Sequence, residues 1–556
     1  MSRRLRRFLL PVVVAAVAAW VAYLYALTWH AYGSHSDSAN AARAGHDLVT
    51  GNPLLTGWKL PADSYWSIDL PVFGLLSVVF GLGRRIVHLA PLLIAVCAIG
   101  LSAACIHRRG RPSGWALSPG LVALGLLLGL PHAFLVYIFF QGPWHVGTAV
   151  LCLAAFMLAD APWRSRRWVG AVALLTAAVV GDPIALAVGV GPVAGASALR
   201  ALRTRRAQDA VHAVASGAAP VVAAVAVRLL LTLAGAFHVA ATETSPLSNV
   251  VRNLRHTPRL LGALLGVGPL AGLAGGGQVR AGVLDRVAHL GGAVLLGGAV
   301  VASTGGVVVR AVRAARRRRG GADDARADGA GAAAADGEGR EDWLDDTLVL
   351  AFWASILAAA VVAAPGAGFA AARYLPAPLL FGVTLTGRRL RHLPAAPKPV
   401  RLGGAVLLVA LLPLYLLGSG RLLSRAEPKD PDAALAATLL ARHLEFGYAP
   451  YWIASNTVLH SGGRLTIVPV ESAGGRLRPF DFYADSRELH LPPPRQTAAL
   501  HRSPPRSGPS FVVFRADTGW GNVDVPSARA TFGEPAAVET LGPYTLLTWN
   551  ALGRDR

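Results

Sequence analysis

Eleven apolar runs divide this chain, at 8–28, 86–106, 116–130, 146–161, 168–181, 184–199, 209–235, 286–309, 345–364, 374–387 and 402–420. A helix crossing a bilayer needs roughly 20 apolar residues, so several runs are long enough and others are short. A stretch at 71–83 adds a half-helix or an in-plane helix. Lipid offers backbone N–H and C=O groups no partner, and a helix satisfies them internally. The pattern therefore predicts a polytopic α-helical membrane protein with about eleven spans. Composition points the same way. Of 556 residues, 53% are hydrophobic and 15% charged, which excludes a disordered chain, a collagen-like chain and a disulfide-stapled secreted domain. The first run follows Ser2-Arg3-Arg4-Leu5-Arg6-Arg7. A signal peptide has a shorter apolar core and a small-residue cleavage site. No such site precedes Trp29, so the run reads as a first span with its basic end in the cytoplasm.

The formal charge is +22, from 53 Lys and Arg against 31 Asp and Glu. In so apolar a chain this is a topology signal before it is a sign of a polyanionic partner, and no nucleic-acid partner is expected. With the N-terminus inside, 25 basic residues fall in inner segments and nine in outer ones. The bias holds at every turn, among them Arg164-Ser165-Arg166-Arg167, Arg200 to Arg206 and Arg388-Arg389-Leu390-Arg391. An odd number of spans then leaves the C-terminal tail outside a plasma membrane. Cys97, Cys105 and Cys152 lie inside apolar runs without metal-site spacing and read as small buried hydrophobes.

Two domains are expected: a transmembrane domain at 1–420 and an extracytoplasmic tail at 421–556. The first contains a polar outer loop at 30–70 and a segment at 310–344 whose Arg run and Gly, Ala and Asp repeats suggest a disordered cytoplasmic linker. In the tail, a helix is expected from Asp432 to Phe446. Strands are expected at Leu465–Val470, Ser510–Phe514 and Tyr544–Trp549, where β-branched and aromatic runs stand between Pro and Gly clusters. Together they make a small α+β domain.

Carboxylates are scarce in the apolar part, and their placement is informative. Asp37 follows the first span in Ser34-His35-Ser36-Asp37-Ser38-Ala39-Asn40. Asp47, Gly51-Asn52-Pro53-Leu54-Leu55-Thr56-Gly57-Trp58 and Asp63-Ser64-Tyr65-Trp66-Ser67-Ile68-Asp69-Leu70-Pro71 come next. Asp182 sits in the turn Gly181-Asp182-Pro183, His145 in Gly142-Pro143-Trp144-His145, and Arg373-Tyr374-Leu375 opens a late span. His35 and His132 also fall near the outer face. In the tail, Gly447-Tyr448-Ala449-Pro450-Tyr451-Trp452 could stack on sugar faces or form the core of a small domain. Neither a Walker motif, a dinucleotide loop, HExxH nor GxSxG occurs, and Gly275-Gly276-Gly277 precedes no helix start that would make it a phosphate cradle.

This order resembles the GT-C superfamily of integral-membrane glycosyltransferases, the polyprenyl-phosphate-sugar users such as protein O-mannosyltransferases and aminoarabinose transferases. The resemblance is architectural, with one loose motif per loop, and extends over the whole length. It implies a GT-C-like fold and transfer of a hexosyl or pentosyl unit from a lipid-linked donor to an envelope or secreted acceptor on the outer face. By resemblance Asp37 is the base, and Arg373 with Tyr374 the binder of the lipid phosphate. His145, Asp63, Asp69 and Asp182 are further substrate-side candidates, and Tyr448, Tyr451 and Trp452 lie on the acceptor side. Many members carry an acidic pair in the first loop. Here Ser38 and Ala39 follow Asp37, so the partner carboxylate is absent or comes from Asp63 or Asp69. A lone Asp gives no ligand set, so neither a metal nor another cofactor is expected. Two other classes stay open. A transporter or flippase would favour ionisable residues at the midplane and internal repeats. A non-catalytic scaffold would have kept the architecture and lost the second carboxylate.

Overall fold

A computed structural model describes residues 3–108, 118–240, 245–267, 283–319, 332–363, 368–480, 482–485, 510–515 and 522–550. The triplet Gly275-Gly276-Gly277 lies outside them. The chain forms two compact units. One is Met1–Ala31, Pro91–Val227 and Glu243–Glu427; the other is Tyr32–Ala90, Arg228–Thr242 and Pro428–Arg556. The division does not follow the chain at 420. The expected outer loop and a short piece near 238 belong with the tail, because strand Trp58–Leu60 pairs with both His238–Val239 and Ala484–Asp485.

Among the described residues the apolar runs fall mainly on helices. Among the described residues six helices are long and apolar enough to span: Leu10–Ala31, Arg84–His107, Ala207–Leu233, Arg286–Arg316, Trp343–Val362 and Lys398–Leu423. Pro119–Gly129 and Ala133–Phe139, bent by 88°, make a seventh if they are one broken span. The remaining runs are shorter helices, Val146–Leu158, Arg166–Gly181, Gly191–Thr204 and Pro376–Leu390. A 13-residue helix is only about 20 Å long, short of a hydrocarbon core of about 30 Å. Protein covers most of Val146–Leu158 and Pro376–Leu390. In the latter each residue from Pro376 to Arg388 is buried.

The basic turns have specific partners. Asp346, fully buried, accepts from Arg203 and Arg310 at 2.6 Å each. Arg388 pairs with Asp345 and also donates to the Cys105 carbonyl at 2.7 Å. Asp160 takes Arg108 at 2.7 Å and Arg167 at 3.6 Å. These ion pairs tie together the ends of separate helices, and losing one member would strand a buried charge. In the 310–344 segment, 310–319 end the helix Val283–Arg319 and 332–344 begin the helix Ala332–Val362. Residues 320–331 lie outside the described residues. A further helix, Leu247–Leu264, occupies what the sequence suggested was an outer loop. Asn253 anchors it to the Ala360 and Ala363 carbonyls.

In the second unit the expected first loop is largely helical. Ser36–Thr50 crosses Asp69–Phe80 at two glycines. A Cβ on Gly45 would lie 2.5 Å from the Leu70 carbonyl oxygen, and one on Gly74 would overlap the Gly45 carbonyl. The tail carries a six-stranded sheet in the order Arg476–Pro479, Thr466–Ala473, Phe446–Ala449, Ser510–Phe514, Tyr544–Trp549, Ala537–Leu541. Phe446–Ala449 is parallel to both of its neighbours, and the outer pairs are antiparallel. Helix Tyr451–His460 makes the crossover between the first parallel pair, as parallel pairing requires. The helix expected to reach Phe446 stops at Ala441. His443 enters the left-handed region at φ 57°, the Leu444 amide turns back to the Leu439 carbonyl, and Phe446 is free to start a strand.

Candidate functional site

Asp37 lies in the first turn of Ser36–Thr50, where the unpaired amides of a helix start favour a carboxylate. His35 caps that helix. Its Nδ1 accepts from the amides of Asp37 at 3.2 Å and Ser38 at 3.4 Å. An accepting Nδ1 requires the neutral ring, and burial, opposed by the Asp37 charge, pushes the His35 pKa down. The Asp37 side chain is half-buried. Tyr451 Oη donates to Asp37 Oδ1 at 2.6 Å, and Ser36 Oγ donates to the Tyr451 carbonyl at 2.8 Å. Burial first, then the Asp37 charge and the hydrogen bond to it, push the Tyr451 hydroxyl well above its ordinary range. It stays protonated as a donor. Asn40, one turn further along, is fully buried, and neither its Oδ1 nor its Nδ2 has a hydrogen-bond partner among the described residues.

A second phenol brings the other candidate carboxylates in. Tyr483 is buried, and its hydroxyl makes no hydrogen bond among the described residues. Burial, then the charges of Asp37, Asp69 and Asp63, raise its pKa. The two carboxylates that the sequence offered as partners for Asp37 thus act on the same phenol as Asp37. Asp63 accepts from Tyr65 Oη at 2.5 Å, and Asp69 is buried at the start of its helix. Asp47 is engaged by Trp58 Nε1 at 3.0 Å.

The aromatic candidates separate. Tyr448 points into the sheet core, its ring 4.8 Å from that of Phe532, where no ligand can stack on it. Tyr451 is buried too and presents its hydroxyl rather than its face. Trp452 is half-buried, 5.1 Å from the Tyr451 ring. Two rings the sequence reading passed over join them: Phe480 and Phe482, at 5.4 and 6.4 Å from Tyr451. Phe482 is 46% exposed. The signal was present in Pro479-Phe480-Asp481-Phe482-Tyr483, an aromatic run between turn residues.

In the other unit the structure links four of the predicted residues. Asp182, 2% exposed, accepts on Oδ2 from Thr148 Oγ1 at 2.6 Å and from His145 Nδ1 at 2.7 Å. Its Oδ1 accepts from the Ile184 amide at 3.1 Å. A carboxylate can only accept, so Nδ1 of His145 carries a proton and the ring is held in one orientation. His145 is the N-cap of Val146–Leu158 with φ 62°, an uncommon conformation for a residue with a Cβ. Its ring lies 5.0 Å from that of Tyr374. Arg373 Nη2 donates to Tyr374 Oη at 2.8 Å, and its guanidinium lies 4.9 Å from the ring centre. Asp182 therefore orients His145 from within the protein instead of standing solvated in a turn. Among the described residues no three His, Cys, Asp or Glu side chains are placed to hold a metal ion.

No family model and no curated protein matches the chain. In structure it is similar to ArnT from Cupriavidus metallidurans. The apo form aligns over 98% of both chains at 12% identity and TM-score 0.49. The form bound to undecaprenyl phosphate aligns over 96% of this chain and 97% of that one, with the same identity and score. An oligosaccharyltransferase from Archaeoglobus fulgidus is similar over 80% of this chain and 64% of that one, at 12% identity and TM-score 0.40. At such identity no residue role is carried over, and the roles below rest on this chain's own geometry and motifs.

Proposed function

We propose that the chain is a membrane glycosyltransferase that moves a sugar from a polyprenyl-phosphate donor to an acceptor hydroxyl on the outer face. The observation that carries this reading is the state of Asp37. It is half-buried, anchored through Oδ1, and its Oδ2 makes no hydrogen bond among the described residues. A carboxylate presented in this way suits a general base. Asp37 Oδ2 takes the acceptor's proton as the acceptor oxygen bonds to the anomeric carbon. The bond from that carbon to the phosphate oxygen breaks, and the polyprenyl phosphate leaves with the electron pair. A single displacement inverts the anomeric centre.

The leaving phosphate gains charge, and a planar guanidinium meets a phosphate with two parallel hydrogen bonds. Arg373 is the proposed phosphate ligand, with Tyr374 and His145 setting its surroundings and Asp182 setting His145. Asp63 and Asp69 take the role of supporting carboxylates near Asp37. Trp452, Phe480 and Phe482 are the aromatic faces proposed to meet an acceptor.

Asp37→Asn keeps the size of the side chain and removes the base. Purified protein with this change should release polyprenyl phosphate from a polyprenyl-phosphate sugar about 10²- to 10⁴-fold more slowly than wild type. Wild-type rates in the variant would refute the assignment. One observation favours transport instead: the 88° break between Pro119–Gly129 and Ala133–Phe139, beside the half-buried His132 and the buried His289, with rings 4.9 Å apart. A discontinuous helix with ionisable neighbours is a common transporter site. Translocation of the lipid-linked sugar across vesicles, unaffected by Asp37→Asn, would support that reading.

A further inference from the structure

We propose that Tyr451 is a positioning residue for Asp37, so that the tail supplies part of the base. This rests on the reading of Asp37 as that base. The last torsion of an aspartate is broad and roughly two-fold, so an unanchored carboxylate does not hold one oxygen on a target. The 2.6 Å bond from Tyr451 Oη to Oδ1 selects one setting and leaves Oδ2 as the oxygen that faces the acceptor. Charge-assisted hydrogen bonds of this kind are short and directional.

The phenol is itself held. Pro450 precedes Tyr451 at the N-cap of its helix, and the rings of Trp452, Phe480 and Phe482 surround its own. Tyr451 keeps its proton throughout. The acceptor's proton goes to Oδ2, so Tyr451 contributes orientation alone and no co-reactant is needed. The sequence had offered Tyr451 as an acceptor-side aromatic, and its buried ring is poorly suited to that. A hydroxyl on the base is a different task, with a different kinetic signature.

The test uses the full-length purified protein and a polyprenyl-phosphate sugar. Tyr451→Phe should lower kcat by about 10²-fold, the scale of a reacting group displaced by an ångström. The KM for the donor should not change, because the lost interaction serves the chemical step. In the Asp37→Asn background the same change should cost nothing further. Ser36→Ala removes the neighbouring contact between the same two helices without touching the carboxylate, and should leave kcat intact. If Tyr451→Phe does not yield folded protein, Asp37→Glu keeps a carboxylate but moves it off the Tyr451 hydroxyl, and full kcat in that variant overturns the inference. Full kcat in folded Tyr451→Phe, with Asp37→Asn inactive, overturns this inference and leaves the glycosyltransferase reading in place. A fall of similar size in Ser36→Ala also overturns it, because packing would then be the cause. A wild-type protein without turnover overturns both.

Discussion

Asp430 and Asp432 stand two residues apart at the start of the helix Pro431–Ala441, and their surroundings push them in opposite directions. Burial would raise Asp430, but the hydrogen bond and charge of His460, with Ser34 and Arg84, hold it below its ordinary value of 3.8. Asp432 is raised, chiefly by burial, although Tyr544 and Asn456 donate to it at 2.5 and 2.6 Å. A lowered carboxylate binds protons more readily in the unfolded chain. Its stabilisation is full above the ordinary value and is lost as pH falls through the folded value. A raised one does the reverse, stabilising below its ordinary value and losing that as pH rises through the folded one. Asp430→Asn should therefore flatten the acid side of a thermal-stability profile, and Asp432→Asn should steepen it. Equal slopes in both variants would contradict the opposed shifts. Neither residue stood out in the sequence, because what shifts them comes from distant segments. The same is true of Asp37. Its place after the first span was legible, while its partner Tyr451 lies 414 positions away, and no spacing rule connects them.

Between elements, the closest approach in the second unit is the crossing of Ser36–Thr50 and Asp69–Phe80. It depends on two glycines. Gly45→Ala puts a methyl group against the Leu70 carbonyl and the Phe73 side chain. Forcing atoms into a packed contact costs about 1–3 kcal/mol, and here the helix that must shift carries Asp37. The variant should unfold at lower temperature than wild type and turn over more slowly, both measured on one preparation. Unchanged stability would mean that the crossing tolerates the added carbon. Elements with strong local signals were readable: the apolar runs became helices, and Ser510–Phe514 and Tyr544–Trp549 are strands as expected. Leu247–Leu264 escaped notice because Leu247, Val250, Val251 and Leu254 recur every three or four residues and form no run. The short helices Val146–Leu158 and Pro376–Leu390 are as apolar along the sequence as the long ones, because a helix buried in protein and a helix facing lipid share that pattern.

At the scale of the whole molecule, the charge of +22 reads in the sequence as a signal of orientation. Of the arginines that the sequence places inside, Arg108, Arg167, Arg203, Arg310 and Arg388 pair with Asp160, Asp345 and Asp346, while the base proposed here needs the opposite side. Orientation is therefore the premise on which an outward-facing reaction depends, and it can be tested without any substrate. In a background with Cys97, Cys105 and Cys152 replaced by Ala, single cysteines can report each side. Gln208→Cys stands in the exposed first turn of the helix Ala207–Leu233, just after Arg205 and Arg206, and Glu534→Cys in an exposed turn of the tail. A membrane-impermeant maleimide added to intact cells should label position 534 and spare 208, and permeabilisation should expose 208. The opposite result would place Asp37 on the cytoplasmic side if the first helix spans once, because Asp37 follows that helix directly. The glycosyl-transfer chemistry could survive that inversion, but its donor headgroup would have to be presented at the inner leaflet.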